Sequence, residues 1–336
     1  MMGGLLRNVA GRVGSDGAIL CYHSITTPRS PSATRLHVPL HEFETTVRLL
    51  RRFADIVALS DLVGRRDSGL RTAGLVALTF DDGYAALLEG VRQTVERDQV
   101  PITVFVVSDA ARTGSRYWWD RLEDALPGVS ADRWREFERA VGMPPGQLRR
   151  DGAEVSPFTP VRQWILTKYR GRWPAELEPA LQTLEREAGV STAQRSMTLE
   201  ELERLAASPF VEFGVHTRSH PVLPLLNDEE LEDEVAGCYC VLRARSLPVI
   251  PVLAFPFGEF DHRTVRAARR AGMRACLALG NRTFRGLECS DPLPRFCVTA
   301  GQPKWRLGLR LLGVEERVRA FVPSSRSAVA GETHGE

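Results

Sequence analysis

The chain has 336 residues, 43% of them hydrophobic and 26% charged, and a formal net charge of +2. Ordinary globular composition at this length allows a sizeable core, and the near-neutral balance speaks against nucleic acid as a main partner. No apolar run reaches the roughly 18 to 20 residues that span a bilayer, so no transmembrane segment is expected.

Residues 1–13 carry Arg7 and Arg12 but no long apolar stretch, and do not read as a secretory signal. Six cysteines (Cys21, Cys238, Cys240, Cys276, Cys289 and Cys297) are scattered along the chain, several in apolar runs where a free thiol packs as a small hydrophobe. Without an export signal a disulfide framework is not expected, and the expected compartment is cytoplasmic.

Short apolar runs alternate with helical patterns, which predicts β–α units. Strands are expected at 18–22, 75–80, 102–107, 211–215, 252–255, 274–279 and 296–298. Between the second and third, residues 85–98 put Leu87, Leu88, Val91 and Val95 on one helical face. Residues 118–194, rich in Trp, Arg, Glu and Pro, break the rhythm and predict a mostly helical insertion on a loop, with breaks at Pro144-Pro145 and 156–160. Thr198 with Glu201, and Asn227 with Glu230, form capping-box signatures. A last amphipathic helix is expected over 305–321, with Leu307, Leu311, Val314 and Val318 set against Arg306, Arg310, Arg317 and Arg319. Such a face fits a final core-packed helix, or one lying on a membrane surface. The small, polar residues 323–336 read as a disordered tail after a domain covering 1–322.

Three expected strand ends carry polar chemistry. The first is Thr79-Phe80-Asp81-Asp82-Gly83-Tyr84. Adjacent carboxylates after a buried strand need compensation, which a cation supplies, although an aspartate before a helix also serves as an N-cap. The second is His216-Thr217-Arg218-Ser219-His220-Pro221, where the spacing lets both imidazoles reach one ion and Pro221 favours a short turn. The third is Ala254-Phe255-Pro256-Phe257-Gly258, a turn whose backbone N–H groups can face a cavity. Together Asp82, His216 and His220 form one oxygen and two nitrogen ligands with a position open for water. Asp81, beside them, is placed to take a proton from that water.

These residues resemble the polysaccharide deacetylase family, the NodB-homology or carbohydrate esterase family 4 group. Thr79-Phe80-Asp81-Asp82-Gly83 matches its first motif without a change, and His216-Thr217-Arg218-Ser219-His220 matches its His-Ser/Thr-x-x-His. The resemblance implies an α/β fold, a distorted (β/α)7 TIM-like barrel with its site at the C-terminal ends of the strands. It also implies Asp81 as general base and Asp82, His216 and His220 as ligands of a divalent metal, zinc before cobalt or nickel. Three positions depart from the family pattern, one of them Phe257, which stands where the third motif has tyrosine. Ala254 stands where its third motif has arginine, and Leu279 stands where its Leu-x-His motif has the histidine that acts as general acid. Cys21-Tyr22-His23-Ser24, Phe255-Pro256-Phe257-Gly258 and a helix containing Phe43, Val47 and Leu50 resemble the subgroup of exopolysaccharide and poly-N-acetylglucosamine deacetylases.

On this reading His23 follows the first strand on the metal side of the barrel and is the candidate acid; its alternative role is positioning of ligand or loop, with a ligand histidine or metal-bound water as the other proton donor. Phe257, through its backbone N–H, is the expected oxyanion donor. Tyr84, Trp118 and Trp119 are the expected substrate contacts, with aromatic anchoring of the insertion as the alternative for an indole. His37, His41, His262 and His334 read as surface residues. The implied activity is removal of N-acetyl groups from an amino-sugar glycan or a lipid-linked glycoconjugate, with peripheral membrane contact through the last helix left open. The alternatives are an O-acetyl esterase and a non-catalytic carbohydrate-binding barrel.

Overall fold

The computed structural model describes residues 17–143, 158–190, 193–280 and 291–311. Seven parallel strands form the frame: β1 (Ala18–Tyr22), β2 (Leu75–Phe80), β3 (Ile102–Val106), β4 (Val211–Val215), β5 (Val249–Ala254), β6 (Ala275–Leu279) and β7 (Leu293–Cys297). They are hydrogen-bonded in the order β1-β7-β6-β5-β4-β3-β2, and β2 returns to β1 through the register Ala18↔Val76 to Tyr22↔Phe80, which closes the barrel. All neighbours run parallel, so every strand C-terminus opens on one end, where barrel sites are built. This is the expected distorted (β/α)7 barrel. A two-residue strand, Asp55–Ile56, pairs with the start of β2 at Leu75 and Val76.

The strands are almost wholly apolar and buried on both faces, as a sheet filled inside and covered by helices requires. β5 begins three residues earlier than the pattern predicts, before Pro251. Proline donates no ladder hydrogen bond, and the structure accommodates it where the β4–β5 register shifts between Phe213↔Val249 and Val215↔Leu253. β7 likewise starts earlier than expected, at Leu293, and so takes Arg295 into the barrel.

Both capping boxes form, at Thr198 and at Asn227, and Asp261 with Thr264 makes a third. The helix Leu40–Leu50 buries Phe43, Val47 and Leu50. The segment 85–98 turns as a wide π-helical stretch, Leu87–Val91, followed by an α-helix, Arg92–Asp98. The insertion supplies the helices Trp118–Ala125, Ala131–Val141, Phe158–Lys168 and Glu178–Ala188, packed around an apolar cluster of their own that includes Leu122, Trp134, Val161 and Leu181. The expected break at 156–160 is corrected in its second half. Phe158 already starts a helix, and Pro160 sits in the first turn, where a missing N–H is harmless. Residues 1–13, Pro144-Pro145, Cys289, His334 and the tail 323–336 lie outside the described residues. The last described helix, Lys304–Leu311, buries Leu307 and Leu311 against the barrel core and leaves Trp305 exposed. No helix among the described residues is long and apolar enough to cross a membrane.

Candidate active site

Three loops at the open end of the barrel carry the expected site, and each contains non-glycine residues in the left-handed backbone region. They are Asp82 (φ 67), Thr217 (φ 69) and His220 (φ 58), and Phe257 (φ 57). Strain of this kind costs of order 1–3 kcal/mol per residue and persists only where surrounding bonds enforce it. The enforcing bonds are visible. Tyr117 Oη donates to the carbonyl of Asp82 at 2.6 Å, and Gly83 follows with φ 65. Glu234 accepts from Arg218 N and Ser219 N at 2.9 Å each and from Ser219 Oγ at 2.6 Å, while His220 N donates to Thr217 Oγ1. One buried carboxylate thus pins the turn between the two histidines.

Asp82 Oδ1 lies 3.4 Å from His216 Nε2 and 3.3 Å from His220 Nε2, and the three ligand atoms fall within 4.8 Å of one another. Asp82 Oδ1 is buried and makes no hydrogen bond of good geometry among the described residues. His216 Nδ1 sits 2.8 Å from the carbonyl of Ala254, which turns its Nε2 lone pair toward Asp82. Burial pushes the pKa of His220 down to about 3, so this imidazole is a neutral donor at working pH. Burial also disfavours charge on His216, but Asp81 and Asp82 outweigh it and raise its pKa, so the pair of carboxylates draws positive charge to this point. An orphaned buried oxygen, two imidazole nitrogens and a surplus of negative charge fit a divalent cation of the zinc class.

Cys21, His23 and Asp81 also bring ligand atoms within 4.8 Å of one another, but this cluster is a poor cation site. Arg295 explains why. Its guanidinium, 0% exposed, donates to Asp81 Oδ1 at 2.6 Å and to Oδ2 at 2.7 Å, and stacks 5.5 Å from the Phe105 ring centroid. Burial would raise the Asp81 pKa; Arg295 outweighs it and holds the carboxyl well below the usual range. The arginine absent at Ala254 is therefore supplied from β7, a residue the motif reading passed over. Gly214, two residues before His216, belongs to the same stack, since a Cβ there would lie 2.3 Å from the Phe105 ring.

The cavity over these groups has a volume of about 200 Å³. His23, Asp81, Asp82, His216, His220, Trp119, Phe257 and Leu279 all line it. His23 enters from the end of β1 with its Nδ1 buried and unpartnered among the described residues. Phe257 stands edge-on to His220, ring centroids 4.5 Å apart. Trp119 stacks on Tyr117 at 4.6 Å and lies 4.9 Å from the His220 ring.

Tyr84 and Trp118 are not brought to this cavity. Tyr84 is buried and donates to Asp120 Oδ2 at 2.7 Å while accepting from Trp119 Nε1 at 3.1 Å, so it steadies Trp119 instead of facing substrate. Trp118 donates to the carbonyl of Gly171 and packs on Trp173 inside the insertion. It lines a separate cleft of about 630 Å³ that meets the first at Trp119 and His220. His37 also corrects the surface assignment. Its short strand pairs with Ser24–Thr26, and its buried ring lies 4.8 Å from Tyr84 with Nε2 3.4 Å from Asp120 Oδ1. Burial pushes its pKa down to about 3 and raises that of Asp120, so burial disfavours charge on both partners. His41 and His262 are exposed, as expected.

Fold and site together define a parallel seven-stranded barrel with an aspartate–histidine triad that could hold a metal ion and an ion-paired aspartate at its strand ends. Residues 168–276, which contain both histidines and the Phe257 turn, match the polysaccharide deacetylase family. The family resemblance read from the motifs thus holds. By sequence, no curated protein matches the chain. Among solved structures, the chain is similar to the Streptococcus pyogenes deacetylase PplD in complex with acetate, with TM-score 0.58 and 13% identity over 89% of this chain and 99% of that one. It is similar to IcaB from Ammonifex degensii, with TM-score 0.57 and 16% identity over 89% and 98%. A polysaccharide deacetylase from Bacillus cereus gives TM-score 0.54 and 14% identity over 89% and 69%. At these identities the likeness is one of fold.

Proposed function

We propose that the chain is a metal-dependent hydrolase that removes N-acetyl groups from an amino-sugar glycan or glycoconjugate. The observation that carries this reading is the cavity in which Asp82, His216 and His220 converge beside an Asp81 locked by Arg295. A zinc-class cation held by Asp82, His216 and His220 would polarise the acetyl carbonyl and ease deprotonation of the attacking water. Asp81, kept ionised and oriented by Arg295, accepts the proton of that water as its oxygen attacks the carbonyl carbon. The Phe257 N–H donates to the developing oxyanion, with Trp119 and the Phe257 ring walling the acetyl group from solvent. His23 donates a proton to the nitrogen as the C–N bond breaks, and acetate and a free amine leave.

The case for a non-catalytic barrel rested on the missing arginine and the missing Leu-x-His histidine. Arg295 supplies an arginine to Asp81 from β7. Leu279 does line the cavity, and His23 reaches the same cavity from another strand. The test is acetate release from N-acetylated oligosaccharides and their O-acetylated counterparts, before and after chelation and metal return. Release from N-acetyl substrates that stops on chelation and resumes with metal supports the reading. Release confined to O-acetyl groups turns it into an esterase, and no release from either removes the catalytic assignment.

A further inference from the structure

The insertion also contributes to the cavity. The helix Phe158–Lys168 brings Phe158 and Arg162 into its wall, and the helix Trp118–Ala125 brings Glu123. The other arginines around the site are engaged: Arg121 with Glu178 and Glu185, Arg172 with Glu234, Arg195 with Glu201 and Arg295 with Asp81. Arg162 differs. Its guanidinium lies 5.5 Å over the Phe257 ring, and among the described residues no carboxylate comes within 4.0 Å of it and no hydrogen bond forms. Glu123 and Glu259 attract it only from beyond that distance, and burial raises the Glu123 carboxyl above its usual range. Burial also lowers the pKa of Arg162, but an arginine stays charged at neutral pH.

A half-buried cation whose carboxylate neighbours, Glu123 and Glu259, stay beyond ion-pair distance is costly. The contact with the Phe257 ring is of the cation–π kind and leaves the guanidinium donors free for a planar or tetrahedral anion. The Phe257 ring in turn abuts His220, so such an anion would sit one ring's width from the ligand imidazole. We infer that Arg162 is a substrate-binding residue for an anionic group, a phosphate or a carboxylate, attached to the sugar that presents its acetamido group to Asp81. The inference rests on the amino-sugar reading above and narrows it to acidic substrates: a sugar phosphate, as in nucleotide- or lipid-linked sugars, or an acetamido uronic acid.

The test uses the full chain loaded with zinc. Calorimetry compares N-acetylglucosamine 1-phosphate, the methyl glycoside of N-acetylglucosaminuronic acid and the neutral methyl N-acetylglucosaminide on wild type, Arg162→Gln and Arg162→Lys. Wild type should bind at least one anionic probe about tenfold or more tightly than the neutral one, the scale of a charge-assisted hydrogen bond. Arg162→Gln should bring that ratio close to one, and Arg162→Lys, which keeps the charge without the fork, should retain part of it. Whichever anion shows the dependence identifies its source. Equal binding of all three probes to wild type, or a preference that survives Arg162→Gln, overturns the proposal. Acetate release is read separately. An Arg162-dependent preference without any release would count against the deacetylase reading while upholding the anion site.

Discussion

Arg295→Gln is the most informative single change, because one residue carries both the stability and the chemistry of Asp81. The guanidinium is wholly buried and makes two hydrogen bonds of 2.6 and 2.7 Å to one carboxylate and a third, of 3.3 Å, to Thr79 Oγ1. Removing one partner of a buried ion pair leaves an uncompensated charge and costs about 3–5 kcal/mol, a fall in melting temperature on the order of 10 °C. The pH dependence follows from the same balance. In the wild type the Asp81 pKa is depressed, so the pair's stability is present above the unfolded value of about 3.9 and is lost as pH falls through the lower folded value. Without Arg295, burial dominates and pushes the Asp81 pKa up. Stability at neutral pH then falls most, and mild acid relieves part of the loss. Activity should drop roughly 10²-fold or more near neutrality, with an acid limb at higher pH than in wild type, because the base must be ionised. Asp81→Asn combined with Arg295→Gln should destabilise less than Arg295→Gln alone, since no charge is then left stranded. Thermal unfolding at several pH values and a pH–rate profile measure all of this. A melting temperature within about 2 °C of wild type together with an unchanged acid limb would refute the reasoning.

Two further outcomes follow from the same geometry. His23→Ala, with metal content verified, should abolish most hydrolysis of an unactivated amide while largely sparing an activated ester, whose leaving group needs no proton. Equal losses on both substrates would reduce His23 to positioning. Gly214→Ala should drive a methyl group into the Phe105 ring that supports Arg295, destabilising the fold by about 1–3 kcal/mol. An unchanged melting temperature would mean that the ring has room to move.

The convergence of Asp82, His216 and His220 was legible because its parts are local. Asp81 and Asp82 stand directly after one apolar strand, and His216 and His220 share one turn after another. The barrel was legible for the same reason, as apolar runs alternating with helical patterns. Arg295 was not, because its partner is 214 residues away in sequence and only closure of the barrel brings β7 beside β1 and β2. The available signal was a charge between Pro294 and Phe296 in a run that otherwise reads as buried strand. His37 was misread because its partner, Asp120, comes from the insertion, and sequence reasoning does not say where an insertion docks. Tyr84 and Trp118 look alike as aromatic residues near motifs. Only packing assigns them to structural roles, while Trp119, their neighbour in space, takes the cavity.

The central claim is that Asp82, His216 and His220 hold a catalytic metal and that Asp81 does not. Elemental analysis of wild type, Asp81→Asn and His220→Ala, with acetate release measured on the same samples, tests it most directly. The account predicts about one transition metal ion per chain in wild type and in Asp81→Asn. Metal should be largely lost in His220→Ala, and activity in both variants. Equal metal in wild type and His220→Ala, or loss of metal in Asp81→Asn, would contradict it.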